Sequence, residues 1–140
     1  MRTNASTAWD YLDACAFVAH RPGRLIDDDF ADFLTDLLAK QQLRSVVVRA
    51  SEGAPRADHR SLLLRWYREH TVRGAVLTDS VIARGGVTAL SWFGVSIRAF
   101  EPAELDAALE YVQIATPRWP EARQCMQRIV AWVDGRQGRS

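Results

Sequence analysis

The hydrophobic positions along the chain alternate between short apolar runs and helical spacings. Trp9 to Ala19 (WDYLDACAFVA) is rich in aromatic and small apolar residues and ends at a turn signal, HRPG at 20–23. This segment predicts one long strand, or a tight pair of strands that bends at Asp13-Ala14. Three further strands are predicted at Ser45–Arg49, Val72–Thr78 and Ser96–Phe100.

Helices are predicted between these strands. After Asp27-Asp28-Asp29, apolar residues follow the i, i+3, i+4, i+7, i+8 spacing of one helix face, at Phe30, Phe33, Leu34, Leu37 and Leu38. Two more helices are expected from about Ala57 to His70 and from Ile82 to Phe93, the latter stopped by Gly94. Another is expected to open at Glu101-Pro102, because proline is tolerated in a first turn.

Strands that alternate with helices require crossover connections, so the sheet is expected to be mostly parallel. Residues 116–120 (TPRWP) break this pattern, and a last helix follows with its apolar residues in register from Ala122 to Val133. We therefore predict an α/β fold with a mixed, mostly parallel sheet of four to five strands over residues 1–114. Residues 115–140 are expected to form an extra helix and a polar tail, with the helix packed on the domain or on a partner.

Composition narrows the function classes. The 140 residues carry a formal net charge of +1, which gives no electrostatic reason to expect nucleic acid or an anionic membrane as partner. No apolar run reaches the roughly 18 residues of a membrane span, and no apolar segment follows Met1-Arg2-Thr3-Asn4 as in a signal peptide. Cys15 and Cys125 each lie in an apolar pattern and are expected to be buried, reduced thiols. We expect a cytoplasmic protein.

The candidates for catalysis and metal binding each have a structural explanation. Asp27-Asp28-Asp29 offers carboxylates to a hard cation, but a helix N-terminus also favours acidic and capping residues. None of the three histidines has a histidine or cysteine partner at i+3 or i+4. His59 lies beside Asp58 and near Ser61, yet neighbours on one helical turn seldom form a nucleophile and base pair. We therefore expect no catalytic residue, no metal and no cofactor.

A helix start offers a second kind of site. Ser80, Arg84, Gly85 and Gly86 follow the strand that ends near Thr78, and backbone N–H groups at a helix start bind anions. These residues are the candidate anion site. The alternative is that the glycines allow close packing of the helix on the sheet while a hydroxyl residue caps it.

Two pairs of adjacent aromatic residues suggest a binding surface. Trp66 and Tyr67 lie on one predicted helix, and Trp92 and Phe93 on another. Adjacent helical positions point about 100° apart, so one ring of each pair is expected near the surface. Because exposed Trp and Tyr are favoured interface anchors, Trp66, Tyr67 and Trp92 are the predicted partner-binding residues. The alternative is that both rings of each pair pack between helices.

The order of elements resembles the STAS family, the domain shared by sulfate transporters and anti-sigma-factor antagonists. The similarity covers roughly residues 8 to 114, and the stretch at 72–112, VRGAVLTDSVIARGGVTALSWFGVSIRAFEPAELDAALEYV, is similar to the second half of such a domain. The resemblance implies a protein-interaction switch in bacterial signalling. In anti-sigma antagonists a hydroxyl residue at the start of the second helix, in a DSSG-like motif, is phosphorylated. Asp58 could stand for the motif's aspartate, and Ser61 is the nearest hydroxyl, displaced from the motif position.

A second resemblance is to response-regulator receivers. Arg98 to Leu105 (RAFEPAEL) is similar to the receiver end, where a Lys-Pro-Phe step precedes the last helix. Arg98 stands where that lysine is expected, and Val48 is followed by Arg-Ala-Ser at 49–51 where a receiver has its phosphorylated aspartate. This alternative implies a degenerate receiver.

We expect a non-catalytic interaction or regulatory module whose partner is another protein or a second copy of the chain. The alternative function is binding of a small ligand or anion, with or without catalysis.

Overall fold

The computed structural model describes residues 1–23, 25–50, 52 and 55–137. Its six strands form one sheet in the order β1-β2-β3-β4-β5-β6. The strands are β1 (Arg2–Thr3), β2 (Thr7–Leu12), β3 (Cys15–His20), β4 (Ser45–Arg49), β5 (Arg73–Leu77) and β6 (Ser96–Phe100). The α-helices are α1 (Asp27–Leu38), α2 (Ala57–His70), α3 (Val81–Ser91), α4 (Leu105–Tyr111) and α5 (Trp119–Gln137), with a 3-10 turn at Thr116–Arg118.

The sheet is mixed and mostly parallel, as predicted. β1, β2 and β3 pair antiparallel, whereas β3, β4, β5 and β6 run parallel. The expected count of four to five strands was wrong, because β1 adds a sixth. Its two exposed residues pair with Ala8 and Trp9, and two polar residues carry no hydrophobic pattern from which a strand could be predicted.

The first long segment is the predicted pair of strands. β2 and β3 form a hairpin that pairs Leu12 with Cys15, and Asp13 takes a left-handed φ of 53° at the turn. Aspartate is among the few residues other than glycine that tolerate this conformation. The bend therefore lies at Asp13-Ala14, as the sequence predicted.

Both faces of β3 are covered by helices. Ala16 and Val18 belong to one apolar cluster with α1 and α2, whereas Phe17 and Ala19 belong to the opposite cluster with α4 and α5. All six residues of β3 are buried. The strand therefore lies at the centre of a three-layer domain.

The C-terminal helix packs on the same sheet. Its buried residues share one cluster with β2 and β3: Ala122, Cys125, Met126, Ile129 and Val133. Asp134 adds an ion pair to Arg49 at the end of β4, with 2.8 Å between the carboxylate and the guanidinium. Cys15 and Cys125 form no disulfide and are buried in this cluster, as expected. The predicted division at residue 114 is thus a boundary between helices that cover one common core.

Two helix starts differ from prediction. The acidic run at 27–29 forms the first turn of α1, but Ile26 precedes it at the cap position and no side-chain hydrogen bond caps the helix. The carboxylates therefore act on the helix through its dipole, and Asp29 also accepts a hydrogen bond from the Ser6 hydroxyl. Pro102 lies before the helix and not in its first turn, because α4 begins at Leu105. In the turn that precedes α4, the Glu104 carboxylate accepts a hydrogen bond from the Glu101 N–H at 2.7 Å.

One carboxylate joins the N-terminal strands to α1. Asp36 accepts hydrogen bonds from the Trp9 indole at 2.8 Å, from the Tyr11 hydroxyl, and from Arg2 at 2.7 Å. Partial burial raises the pKa of Asp36, but the bonds from Tyr11 and Trp9 outweigh that effect and keep the pKa below its ordinary value. This anchor holds the antiparallel end of the sheet to the helical layer.

Within the described ranges, no helix has the length and apolar character that crossing a bilayer requires.

Gly74 lets a tyrosine ring lie flat on the sheet, and this close approach is testable. A Cβ added at Gly74 would lie 2.5 Å from the Tyr67 hydroxyl oxygen. We expect Gly74→Ala to lower the free energy of unfolding by about 1 to 3 kcal/mol, because the buried ring has to shift. Urea denaturation measures this. Adding Tyr67→Phe, which removes the clashing oxygen, should make the cost of Gly74→Ala smaller; an equal cost in both backgrounds would contradict this packing.

Candidate functional site

An apolar cavity lies between α2 and α3, above the parallel strands, and is called here the α2–α3 pocket. Its volume is about 490 Å³, within the usual range for ligand sites. The floor consists of Val46, Val48, Val76 and Ile97 from three strands. The walls are Leu63, Leu64 and Tyr67 of α2 and Ile82, Gly86, Val87, Ala89, Leu90 and Phe93 on and just after α3, while Phe30, Phe33 and Leu37 of α1 close the remaining side. The lining is predominantly apolar.

The segment of α3 and the turn that follows it divides into three stripes at 100° per residue. The inner stripe, Ala83, Val87 and Leu90, faces the sheet. The pocket stripe consists of Ile82, Gly86, Ala89 and Phe93, all of which line the α2–α3 pocket. The outer stripe consists of Val81, Gly85, Thr88 and Trp92, which are all exposed; it lies opposite the inner stripe and about 100° from the pocket stripe.

Both outward stripes are unusually apolar for a surface. Val81 and Ile82 are 83% and 78% exposed, and Trp92 and Phe93 are 80% and 62% exposed. α3 contains one charged residue, Arg84, whose guanidinium lies 2.7 Å from the Glu101 carboxylate and donates to the Thr78 carbonyl. Exposed apolar residues grouped in this way mark binding sites more often than isolated ones do.

Polar groups reach the pocket at one end. This end is formed by the carboxyl ends of β3 and β4 and by the first turns of α2 and α3, where His20 and Arg60 contribute the polar side chains. In open α/β sheets this edge is the usual ligand position. Arg60 is exposed, and no ion pair within the described part of the chain holds its guanidinium.

His20 is a buried imidazole beside this end. Its Nδ1 lies 3.2 Å from the Thr7 hydroxyl, and its ring packs against Phe30 and Phe33. Burial, together with the nearby Arg49 guanidinium, lowers the pKa of His20 to about 4. The imidazole is therefore neutral near pH 7, where its role is to pack and to hydrogen-bond.

The predicted partner-binding residues separate into buried and exposed ones. Trp66 and Tyr67 are only 3% and 8% exposed, so the expectation that one ring of this pair reaches the surface was wrong. Gly74 opens the space that Tyr67 fills, and Trp66 packs edge-on against Tyr67 with ring centres 5.5 Å apart. For the second pair, Trp92 and Phe93, the expectation of a surface-exposed ring was right, since the Trp92 side chain is exposed. Its role in partner binding remains a prediction.

The groups of the candidate anion site already have partners within the protein. Ser80 caps α3 by accepting a hydrogen bond from the Ala83 N–H at 3.2 Å, and Arg84 is engaged by Glu101. Gly85 and Gly86 lie inside the helix, where backbone N–H groups serve helical hydrogen bonds. Neither glycine meets a neighbour that an added Cβ would touch, so close packing on the sheet does not explain them.

The remaining candidates lie on α2. Ser61 is exposed on its second turn, so it is accessible, and its phosphorylation remains a prediction. His59 is buried against Phe30, with its Nε2 held 3.1 Å from Arg56. Within the described residues no group of three or more metal-ligating side chains is present.

Sequence reasoning missed the α2–α3 pocket and the division of α3 into stripes. The signal was present, because Val81, Gly85, Thr88 and Trp92 follow i, i+4, i+7, i+11 spacing, as do Ile82, Gly86, Ala89 and Phe93. Both sets resemble ordinary core stripes in the sequence alone.

No protein-family model and no curated protein matches this chain.

The buried His20 predicts acid sensitivity. Its folded pKa of about 4 lies below the ordinary histidine value of 6.5, so the unfolded chain binds more protons between these values. Stability is therefore present above about pH 6.5 and falls by on the order of 3 kcal/mol as the pH drops towards 4. His20→Gln should flatten this part of the profile in urea denaturation from about pH 7 to pH 4. An unchanged slope in the variant would show that other groups cause the loss.

Proposed function

We propose that the protein is a non-catalytic interaction module that self-associates through the outer stripe of α3. The observation that carries this proposal is the exposure of Val81 and Trp92, at the two ends of a helix face that has no charge. The pocket beside it supports a binding role, because its lining offers hydrophobic contact and its buried histidine is neutral.

The pattern of the outer stripe suits a two-fold contact with a second copy. Two α3 helices that cross antiparallel bring Val81 of one copy towards Trp92 of the other, with Gly85 and Thr88 near the centre. Small central residues allow close approach of the backbones, and a neutral face creates no like-charge repulsion about the axis.

The apolar area is sufficient for weak association. Val81 and Trp92 of the outer stripe, together with Ile82 and Phe93 of the neighbouring pocket stripe, present on the order of 1,000 Å² in two copies, given that a buried aromatic covers about 150 to 250 Å². Specific, stable interfaces bury about 1,200 to 2,000 Å², so this surface falls just below that range, where weak and transient contacts are found. We therefore expect a reversible dimer.

The resemblance to STAS domains extends the proposal to a regulatory switch of a bacterial signalling system. It is supported by the element order and by the exposure of Ser61 on α2. The receiver alternative fits less well, because receivers have a reordered parallel sheet of order 2-1-3-4-5, whereas these strands follow chain order and include an antiparallel hairpin.

Sedimentation velocity tests self-association. The wild-type chain should dimerise measurably by about 100 µM, and Gly85→Arg should abolish the dimer because like charges meet at its centre. Gln124→Arg adds the same charge at an exposed position of α5 on the other face of the sheet and should leave the dimer intact.

Trp92→Ala should weaken the dimer about tenfold or more, because it removes the largest exposed apolar side chain. A wild-type protein that stays monomeric over this concentration range, or a dimer that Gly85→Arg and Trp92→Ala both leave unchanged, would contradict the proposal.

A further inference from the structure

The α2–α3 pocket has the form of a binding site for an elongated molecule. The segment from Ile82 to Phe93 borders it along its whole length, about 16 Å at 1.5 Å per helical residue. Three strands form an apolar floor under that length, and the groove has a volume of about 490 Å³. A flat protein surface does not require such a channel, whereas an alkyl chain fills one.

The two ends of the pocket differ in charge. Phe93 and Val95 lie at one end without a charged neighbour in the lining, whereas Arg60 lies at the other, beside the first turn of α2. The Arg60 guanidinium is not paired within the described residues, and Asp58, the nearest acid on its own helix, is held by Arg56 at 2.7 Å. The polar end is therefore complementary to a negative group.

We propose that the α2–α3 pocket binds a single alkyl chain that carries one anionic head group. The chain lies between the pocket stripe and α2, over the apolar floor, and the head group pairs with Arg60. Arginine suits this role because its planar guanidinium donates two parallel hydrogen bonds to a carboxylate or phosphate. A free fatty acid and a single-chain acyl lipid both present this chemistry.

Adjacent glycines provide a matched pair of variants. Gly86 lines the pocket and Gly85 belongs to the outer stripe, and an added Cβ atom meets no neighbour within 4 Å at either position. Gly86→Phe fills the pocket, whereas Gly85→Phe adds the same group outside it. Both changes replace glycine in a helix interior, so both variants are expected to fold at least as well as the wild type. Ala89→Phe, which also enters the pocket, provides a second blocked variant.

Isothermal titration with laurate, kept below its micelle concentration, tests the proposal. We expect saturable binding of one laurate per chain to the wild type and to Gly85→Phe, and a loss of at least about tenfold in affinity in Gly86→Phe and Ala89→Phe. Arg60→Gln should weaken laurate binding about tenfold and leave lauryl alcohol binding unchanged, because only laurate carries the charge.

Co-sedimentation with phosphatidylglycerol vesicles tells whether the alkyl ligand comes from a membrane lipid or from a free fatty acid. Vesicle binding that Gly86→Phe abolishes would support a membrane lipid as ligand, and laurate binding without vesicle binding would support a free fatty acid. The proposal is overturned if the wild type binds neither probe, or if both blocked variants bind as well as the wild type. The Gly85→Arg variant, which separates the proposed dimer, should bind laurate normally, so failure of self-association and failure of ligand binding are observed separately.

Discussion

Strand β3 buries all six of its residues between two helical layers, and the remaining elements are arranged around that burial. Its alternate side chains enter two separate clusters, one with α1 and α2 and one with α4 and α5. Successive side chains of a strand point to opposite faces of the sheet, so each helical layer covers half of the β3 side chains. Removing either layer would therefore expose apolar surface. The C-terminal helix is thereby part of the core, since its residues from Ala122 to Val133 cover β2 and β3.

The same arrangement leaves α3 only partly covered. α3 connects β5 to β6, and β6 is the edge strand of the sheet. The helix therefore has a helical neighbour on one side only. Its inner stripe packs on the sheet, its pocket stripe faces α2 across a gap, and its outer stripe faces solvent. The two proposed binding functions therefore use adjacent faces of one helix, about 100° apart, and neighbouring glycines separate them experimentally.

Few charged side chains lie near α3 and the α2–α3 pocket. Arg84 is neutralised by Glu101, and His20 is kept neutral by its burial and by Arg49. Arg60 is the charged side chain of the pocket lining that no described acid pairs. In the proposed complex, the unpaired Arg60 would favour a negative head group over a neutral or positive one, separately from the contacts that the alkyl chain makes with the apolar walls.

Much of the fold follows from the sequence itself. The hairpin at Asp13-Ala14, the strands at Ser45–Arg49 and Ser96–Phe100, and the span of α2 were predicted, because each has a local hydrophobic period and a local turn or stop signal. The sequence also established that Trp66 and Tyr67 are adjacent on one helix. Only the tertiary structure decided that both are buried, since that depends on Gly74 lying beneath Tyr67 on a strand that begins after the helix ends. Likewise, the sequence places two stripes of the same helical spacing on α3, but which stripe faces a neighbour depends on where α2 lies across the sheet. Local periodicity determines which residues share a helix face, and only packing determines what that face meets.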